Sequence, residues 1–478
     1  MWREIKNLYN DDDNLPDCVL IKDEMVTNES LIAERINEYF IQSVVAINAS
    51  IPRVLFEHEL LTPLIDMTIM ESFEPVTIDH LYDIVRNIKT KSGLHNVNKD
   101  VAGYCLELYG DEIVRTFNES FRTGCFPECW KYTIVNPIPK IKNTLKASEM
   151  RPVNQANTID KMIQTVAKLQ IEQHLKSNNL LSESQSAYRE SYSTETAINL
   201  VIIEWKLNRD SKQMVIAVFI DMSRAFETLD REILVQIVSS LGIRGTVLAW
   251  LRSWLQGRTQ FTKYKNTTST SRPVNIGVPQ GTPLSCLMFI VYIDLIVRVV
   301  KKCRIKLFAD DILLWVCASS LAEALACIEE DLRSIECFLK MIRLKINAHK
   351  TKLMALGCDD EINLTIDGIM VEQVHEMKYL GVIIDEKLNF KAYAAYVRKK
   401  MASKIDMLRR LRKKFDIDTA LMFYNSLIAP HVDYCSSCLF LVPRAELLMI
   451  QRMQNRALRI ILRKPIDTII QQMLDEAN

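Results

Sequence analysis

The chain has 478 residues, of which 48% are hydrophobic and 25% are charged, and these values are typical of a globular protein with a large core and two or three domains. A formal net charge of +1 neither favours nor excludes a nucleic-acid partner, whereas twelve scattered cysteines without a signal peptide exclude a secreted, disulfide-held class. Charge is uneven along the chain: residues 1–80 hold 16 acidic and 5 basic residues, and residues 391–414 hold 10 basic residues and one acid.

The N-terminal part of the chain is weakly specified up to about residue 75. The sequence pattern of residues 1–75 predicts helices and loops in an acidic, linker-like segment. From residue 76 the pattern strengthens, and Thr77 is expected to cap a helix whose apolar stripe is Leu81, Ile84, Val85 and Ile88. Residues 131–140 predict a strand closed by Pro137 and Pro139, and residues 159–175 predict a helix.

Apolar runs in the middle of the chain predict a buried core. Residues 215–220 predict a buried strand that ends at Asp221, followed by a helix at about 230–241. Residues 285–300 are the most apolar stretch, but Asp294 and Arg298 interrupt it and it is too short to span a membrane, so a buried helix is predicted.

A tight hairpin is predicted at residues 305–316, with Asp310 and Asp311 at its turn. A strongly amphipathic helix should follow, since one face carries a long apolar stripe. The residues of that stripe are Leu321, Leu325, Ile328, Leu332, Ile335, Leu339 and Ile342. Residues 377–384 predict another strand and residues 391–478 only helices. This order indicates an α+β core with an all-α C-terminal region.

The acidic residues at these strand ends suggest metal chemistry. A single Asp at a strand end is usually an ordinary surface residue, but adjacent carboxylates beside apolar strands are costly unless a cation neutralises them. Mg²⁺ prefers oxygen ligands. Asp221 with Asp310 and Asp311 could hold two ions about 3.5–4 Å apart, a spacing that clamps the attacking and leaving oxygens of a phosphoryl transfer.

Two cysteine pairs could each form half of a zinc site. They are Cys125 with Cys129 and Cys435 with Cys438. Neither has a second pair of Cys or His residues nearby, so zinc is not the favoured interpretation.

Three motifs in order resemble those of reverse transcriptases. FIDMSRAF at 219–226 resembles the first catalytic motif of that family, GVPQGTPLS at 277–285 the second, and FADD at 308–311 the third. Any one of these could arise by chance, whereas the ordered set is highly specific.

Further matches narrow the resemblance to non-LTR (LINE-type) retrotransposons of the jockey or CR1/L2 kinds. The matching stretches lie on both sides of the three motifs and together span about residues 80–465, with a fainter likeness at residues 32–45. They are residues 130–140 and 151–153 (fingers segment), QSAYR at 185–189, STETA at 193–197, NAHKTK at 347–352, YLGV at 379–382, HVDYC at 431–435 and QNRA at 454–457.

The resemblance implies a right-hand polymerase with fingers and palm at 76–385 and a helical thumb and C-terminal region at 386–478. It implies an RNA template, a DNA primer, an RNA–DNA hybrid and dNTPs as partners, two Mg²⁺ ions (or Mn²⁺) as cofactors, and no membrane association. It also implies a location in the nucleus, the cytoplasm or both, while the oligomeric state stays open.

Roles carried over from the family fall on particular residues. Asp221, Asp310 and Asp311 would be the catalytic metal ligands, and Lys350 the acid that protonates pyrophosphate, with Lys352 as an open alternative. The substrate-binding residues would be Lys140, Arg151, Arg189, Phe226, Gln280 and Gly281. The primer grip would be Tyr379, Leu380 and Gly381. Phe226 would exclude a 2′-OH, although it could equally be a core residue.

Several departures from the family pattern stand out. Glu227 occupies a usual Asp position, Cys286 a usual Pro position, Asn154-Gln155-Ala156 replaces an Ile-Ser-Leu-like run, and Ser92-Gly93-Leu94-His95-Asn96 replaces a Pro-Gly-Pro-Asp-like loop. There is no room for the N-terminal endonuclease of full elements, so the chain is expected to be the polymerase part of a longer reading frame.

Other interpretations of the whole chain remain. One is a catalytically silent, nucleic-acid-binding relic of such an element, which the intact acidic triad disfavours. Another is an intron maturase or an RNA-directed RNA polymerase, which residues 185–197 and the C-terminal helices disfavour. For the basic residues 391–414, a surface for an anionic partner and a solvated helix face are both compatible with the sequence.

Overall fold

A computed structural model describes residues 15–21, 24–54, 61, 67–87, 98–141 and 143–477. Helices and strands alternate up to residue 385 and helices follow, as the sequence predicts. The described strands are β1 (Val19–Ile21), β2 (Glu24–Val26), β3 (Tyr132–Pro139), β4 (Met150–Gln155), β5 (Met214–Ile220), β6 (Thr259–Tyr264), β7 (Thr267–Thr268), β8 (Arg272–Pro273), β9 (Arg304–Phe308), β10 (Asp311–Ala318), β11 (Lys352–Leu356), β12 (Thr365–Ile366), β13 (Ile369–Met370), β14 (Glu372–Gln373), β15 (Glu376–Tyr379) and β16 (Val382–Asp385).

The described α-helices surround these strands. They are α1 (Glu29–Ser50), α2 (Ile78–Asn87), α3 (Lys99–Thr123), α4 (Thr158–Ser177), α5 (Thr194–Asp210), α6 (Ala225–Thr228), α7 (Arg231–Ser240), α8 (Gly245–Leu255), α9 (Pro283–Asp294), α10 (Leu321–Met341), α11 (Lys391–Leu411), α12 (Ile417–Leu427), α13 (Pro430–Asp433), α14 (Arg444–Leu462) and α15 (Ile470–Ala477). Among the described helices, none is long and apolar enough to cross a membrane.

A five-stranded central sheet has the strand order β14-β11-β5-β10-β9. Side chains of β5 alternate between two hydrophobic cores, because successive residues of a strand point to opposite faces. Ile216, Val218 and Ile220 enter the larger core, and Val215, Ala217 and Phe219 enter the second. Since both faces are covered, the strand is a continuous apolar run rather than an alternating one.

A second sheet has the order β4-β3-β6-β7, with β8 paired to β6. Helix α1 packs on this sheet and buries Ile32, Ile36 and Phe40. Asn37 on the same helix is buried and accepts hydrogen bonds from Gln260 Nε2 at 3.0 Å and Thr262 Oγ1 at 3.2 Å. The prediction of a linker-like segment at 1–75 is therefore wrong for α1, whose apolar face packs in one cluster with distant residues such as Val135, Met150 and Tyr264.

Residues 377–384 form a hairpin, β15 and β16, and not the single strand that their apolar pattern predicts. The chain reverses at Leu380 and Gly381, which both have positive φ values. The remaining helix and strand predictions are confirmed within a few residues. The divergent loop at 92–96 and Ile88 lie outside the described residues.

Candidate functional site

The end of β5 and the β9–β10 turn bring three carboxylates together. In the register of the central sheet, Ile312 of β10 lies opposite Ile220 of β5. Asp311 directly precedes Ile312 and Asp221 directly follows Ile220, so both carboxylates lie at the same end of the strand pair. Asp311 also pairs with Phe308, which leaves Ala309 and Asp310 as the two turn residues. The sheet therefore places Asp221, Asp310 and Asp311 at one edge, as the sequence predicts.

Partial burial raises the pKa values of all three carboxyls, and neighbouring carboxylates raise those of Asp221 and Asp311 further. Burial raises the pKa of Asp311 to about 6, and the charges of Asp310 and Asp221 add to this. The pKa of Asp221 is raised by burial and by Asp310, and that of Asp310 by burial. Such a cluster favours a cation, because a positive charge offsets the repulsion.

Asp221 provides the observation that best fits a divalent cation. Its Oδ2 atom is buried and has no hydrogen-bond partner in the described part of the chain. A carboxylate oxygen in that position fits a divalent ion, so the residues present fit Mg²⁺. Across the described ranges, no group of three His, Cys, Asp or Glu side chains is arranged to hold a metal ion by itself.

The same result bears on the cysteine pairs. Cys125 and Cys129 are exposed, Cys435 and Cys438 are buried, and all four are free thiols. No third metal ligand joins either pair among the residues that the structure describes.

Cationic side chains surround the carboxylates. The charge of Lys350 offsets part of the rise in the pKa of Asp221, and the charge of Arg151 offsets part of the rise in that of Asp310. Burial lowers the pKa of Lys140, and the nearby charges of Lys350, Arg224 and Arg151 lower it further. The structure therefore brings Lys140, Arg151 and Lys350 to the triad.

Lys352 has a different environment. Its Nζ lies 2.5 Å from a Glu372 carboxylate oxygen and donates to the His349 carbonyl at 3.1 Å. Between the two lysines left open by the sequence, this geometry favours Lys350 as the one that faces the carboxylates.

Phe226 lies in α6 at the bottom of the site and is 7% exposed. Its ring stacks on Phe289 with centroids 4.2 Å apart, so it is part of the larger core. The Phe226 carbonyl accepts a hydrogen bond from Val278 N at 3.0 Å, which ties the first motif to the second.

The glycines of the second motif allow close backbone approach. At Gly277, where φ is +75°, a Cβ would lie 2.2 Å from the Glu227 carbonyl oxygen, so no larger residue fits. At Gly281, φ is +105° and a Cβ would lie 3.2 Å from the Asn154 carbonyl oxygen. Gln280 accepts from Asn154 N through its backbone, while its side-chain Oε1 is buried without a partner in the described chain.

The β15–β16 hairpin lies beside the triad. Tyr379 is 4% exposed and packs on Phe219 with ring centroids 5.6 Å apart. Burial and the nearby Asp311 raise the pKa of Tyr379. Tyr434, from a motif 50 residues further on, donates its hydroxyl to the Leu380 carbonyl at 2.6 Å, and its ring lies against Gly381.

Arg189 is the candidate that the structure does not bring to the other cations. Its guanidinium donates to the carbonyls of Ser182 and Gln185 and lies 4.4 Å from the Tyr192 ring centroid. Its contacts stabilise its own loop. Burial raises the pKa of the neighbouring Tyr188, and nearby Cys286 and Asp310 raise it further; the sequence pattern did not single this residue out.

Four further residues of the site have no role assigned to them from the sequence. Thr351 Oγ1 accepts from Asp221 N at 3.2 Å, and Asn347 N donates to the Asp221 carbonyl at 2.8 Å. Arg224 and Glu227 lie next to Lys140, and burial raises the pKa of Glu227. Thr351, Asn347 and Arg224 stand within the quoted motifs. In NAHKTK only the lysines were considered from the sequence, because their charge suggests chemistry.

Comparisons with known proteins point to one family. The reverse transcriptase (RNA-dependent DNA polymerase) family matches residues 138–384. Among curated proteins, the chain is similar to the probable RNA-directed DNA polymerase from transposon X-element of Drosophila melanogaster, with 24% identity over 81% of this chain and 44% of that protein. It is also similar to the RNA-directed DNA polymerase from mobile element jockey of Drosophila funebris, with 22% identity over 81% of this chain and 44% of that protein.

The chain thus spans less than half the length of these curated relatives. Among solved structures, apo telomerase from Candida tropicalis, truncated from its C-terminal domain, aligns with a TM-score of 0.38 and 15% identity over 54% of each chain. That similarity is too low to carry an argument.

Proposed function

The chain belongs to the reverse transcriptase family, and from that premise we propose that it is an RNA-directed DNA polymerase of a non-LTR mobile element. It extends a primer 3′-OH on an RNA template with dNTPs, and pyrophosphate leaves. The observation that carries the proposal is the convergence of Asp221, Asp310 and Asp311 with Lys140, Arg151 and Lys350 at one edge of the central sheet.

Within this proposal the two sheets and the C-terminal helices take the places of a right hand. The central sheet is the palm, the sheet around β3 with α1 to α4 forms the fingers, and α11 to α15 form the thumb and C-terminal region. The β15–β16 hairpin then holds the primer end, because Tyr379 borders Asp311 and Tyr434 holds the turn.

Each part of the site has a task in this reaction. Lys140 and Arg151 bind the triphosphate, where fixed cations offset the charge that develops in the transition state. Lys350 is placed to protonate the leaving pyrophosphate. Phe226 limits the space at the sugar, and the backbone at Gly281 lets the nucleotide approach closely.

Asp221 and Asp310 would be the main ligands of Mg²⁺, with Asp311 beside them. When bound, the ions supply charge neutralisation and activation of the primer hydroxyl. Mn²⁺ has the same ligand preferences and could substitute.

The test is primer extension by the purified chain on an RNA template with dNTPs and Mg²⁺. We predict that Asp310→Asn abolishes extension but keeps the fold and RNA binding, because a lost metal ligand costs several kcal/mol of transition-state stabilisation. Asp210→Asn, at an exposed carboxylate that ends α5, is the matched control and should extend normally.

The outcomes separate the candidates. Extension by Asp310→Asn at more than about a tenth of the wild-type rate, only about 1.4 kcal/mol, would contradict the triad assignment. A wild-type chain that binds RNA–DNA hybrid and extends nothing at all would point to the silent relic.

A further inference from the structure

The loop at residues 184–187 pairs with the free edge of the central sheet. Ser186 N donates to the Leu307 carbonyl at 2.9 Å, and Leu307 N donates to the Ser184 carbonyl at 2.9 Å. Gln185 thereby lies alongside Leu307 in a parallel bridge. Because β9 is the last strand of the sheet, this loop is a direct neighbour of the strand that leads into the Ala309–Asp310 turn.

The Gln185 side chain reaches into that turn. It is fully buried, and its Oε1 accepts hydrogen bonds from Ala309 N at 3.2 Å and Ala187 N at 2.9 Å. One side-chain oxygen thus joins the loop to the residue that precedes Asp310. Its Nε2 is buried and has no partner in the described chain, so the bonds to Oε1 are the ones that orient the amide.

Ala309 needs such a support. Its φ is +55°, a region that costs a residue with a Cβ and that favours glycine at the first position of a two-residue hairpin turn. A strained turn residue persists only where surrounding contacts over-determine it. Ala309 is also 5% exposed, so water cannot replace the acceptor that Gln185 supplies to its N–H.

We propose that Gln185 is a positioning residue for Asp310: its amide oxygen holds Ala309 in the conformation that aims the Asp310 carboxylate at the metal position. The inference rests on the proposed function, since it takes the cation to be that of nucleotidyl transfer. Gln185 itself touches neither substrate nor metal, and acts through Ala309.

The experiment compares Gln185→Met with Ser186→Ala in the full chain. Methionine keeps the length of the side chain and removes the acceptor. Ser186 is equally buried, and its Oγ has no partner in the described chain, so its truncation removes no hydrogen bond. The readouts are the Kd for Mn²⁺ by electron paramagnetic resonance and the cation dependence of primer extension.

Gln185→Met should weaken Mn²⁺ binding by about 10- to 100-fold, as expected for loss of a group that supports a metal ligand. Extension should fall at low cation concentration and recover at high concentration. Ser186→Ala should match the wild type in both. An unchanged Kd in Gln185→Met, or an equal loss in Ser186→Ala, overturns the inference.

A second variant separates positioning from general packing. Ala309→Gly in the Gln185→Met background lets the turn adopt positive φ without strain, so it should recover part of the Mn²⁺ affinity. A double variant as weak as Gln185→Met would assign the loss to packing and overturn the inference. If Gln185→Met does not fold, Gln185→Asn, which draws the amide back by one methylene, takes its place in the same comparison.

Failure of the proposed function has a different signature. A wild-type chain that binds Mn²⁺ in an Asp310-dependent manner but extends no primer refutes the polymerase and leaves the comparison of Kd values intact. A wild-type chain whose Mn²⁺ binding is the same in Asp310→Asn overturns the positioning role itself.

Discussion

At the scale of single residues, Phe226 is a core residue, and its proposed role in excluding a 2′-OH can hold at the same time. Its ring stacks on Phe289 in the core, and its α6 helix begins four residues after Asp221. A side chain that packs so tightly cannot move aside for an extra hydroxyl. Packing and sugar discrimination are therefore compatible, because tight packing holds the ring in a fixed position.

We predict that Phe226→Val admits ribonucleotides. Removing the ring opens space at the sugar, and steric discrimination of this kind is worth about 1–3 kcal/mol, or roughly 10- to 200-fold. The measurement is the ratio of dNTP to NTP incorporation in single-nucleotide extension. Phe289→Leu removes the same ring stack from the other side and is the control. A ratio that is unchanged in Phe226→Val, or that changes equally in Phe289→Leu, would leave Phe226 as a core residue only.

The raised pKa of Asp311 predicts that the proposed metal binding depends on pH. The pKa of Asp311 is raised to about 6, so below that pH a proton competes with the cation. A raised acid pKa means that the ionised, metal-binding form is lost as pH falls through about 6. Metal binding must therefore release a proton in that range.

We predict that the Mg²⁺ midpoint for extension rises as pH falls below about 6, by up to about tenfold per pH unit for each proton displaced, and is nearly flat above about 7. The midpoint is measured between about pH 5 and about pH 8. Asp294→Asn is the control, because the pKa of that carboxyl is also raised to about 6 by burial at a place outside the triad. A midpoint independent of pH, or one that Asp294→Asn alters, would contradict the assignment.

At the scale of elements, helix α11 shows that charge density does not define a binding face. The helix buries one apolar stripe that includes Val397, Met401 and Leu408. Arg412, which follows the helix, is buried and donates to the carbonyls of Ile460, Ile461 and Phe415. Because its guanidinium bonds to these carbonyls, Arg412 belongs neither to a surface for an anionic partner nor to a solvated helix face, the two interpretations that the sequence leaves open for residues 391–414.

The other basic side chains on and near this helix differ in their ion pairs and in their exposure to solvent. Arg409 lies 3.4 Å and Arg456 3.3 Å from the Asp406 carboxylate. Lys399, Lys400, Arg410 and Lys413 are exposed, and no ion pair to an acid is recorded for them among the described residues. These four side chains are accessible to a phosphate backbone without first breaking an ion pair, although Lys400 Nζ lies 5.4 Å from the Tyr396 ring centroid.

We predict that replacing Lys399, Lys400, Arg410 and Lys413 with Gln weakens binding to an RNA–DNA hybrid of any sequence. Each lost phosphate contact should lower the slope of log K against log salt by about 0.9, the value for B-DNA, with a related value for hybrids. The chemical step on bound duplex should change little. Arg412→Gln alone is the contrasting variant and should lower the melting temperature with little change in salt dependence. A wild-type slope and affinity in the quadruple variant would make these residues a solvated helix face.

At the scale of the whole molecule, contacts between residues far apart in sequence join the N-terminal helix to the second sheet, to the loop after α10 and to the first motif. Arg343, after α10, donates to the Asn48 carbonyl at 2.6 Å, to Asn48 Oδ1 at 2.7 Å and to the Ile51 carbonyl at 2.9 Å. At its other end α1 packs on β6. Arg224 of the first motif lies 5.6 Å from the Tyr39 ring centroid. The helix therefore spans from the second sheet to the residues behind the triad.

We predict that Arg343→Gln loosens α1 more than the rest of the chain. Four hydrogen bonds to residues 48–52, at and just after its C-terminal end, are lost, each worth about 1 kcal/mol or somewhat more for a charged donor. Hydrogen exchange should speed up in residues 29–50 and stay slow in β5. Arg333→Gln, at an exposed arginine that bonds only within its own helix, is the control. Equal exchange rates in the two variants would show that Arg343 does not hold the helix.

Much of this protein is determined by the sequence on its own. Burial of β5, the hairpin with Asp310 and Asp311 at its turn, and the amphipathic α10 follow from local periodicity and residue type, which act over a few positions. The family resemblance rests on ordered motifs of this local kind, and the family match over residues 138–384 confirms it. The roles assigned to individual site residues stay predictions, because neither geometry nor family membership tests them.

Only the tertiary structure decided what the polar side chains do. Arg189 and Arg412 are of a residue type that often binds anionic ligands, yet their guanidinium groups donate hydrogen bonds to backbone carbonyls. Gln185 and Ala309 are 124 positions apart and share a hydrogen bond. A short periodic pattern fixes which face of a strand or helix is apolar, whereas the partner of a polar group depends on which distant segment packs there. That packing is a property of the assembled core, and no local window of the sequence contains it.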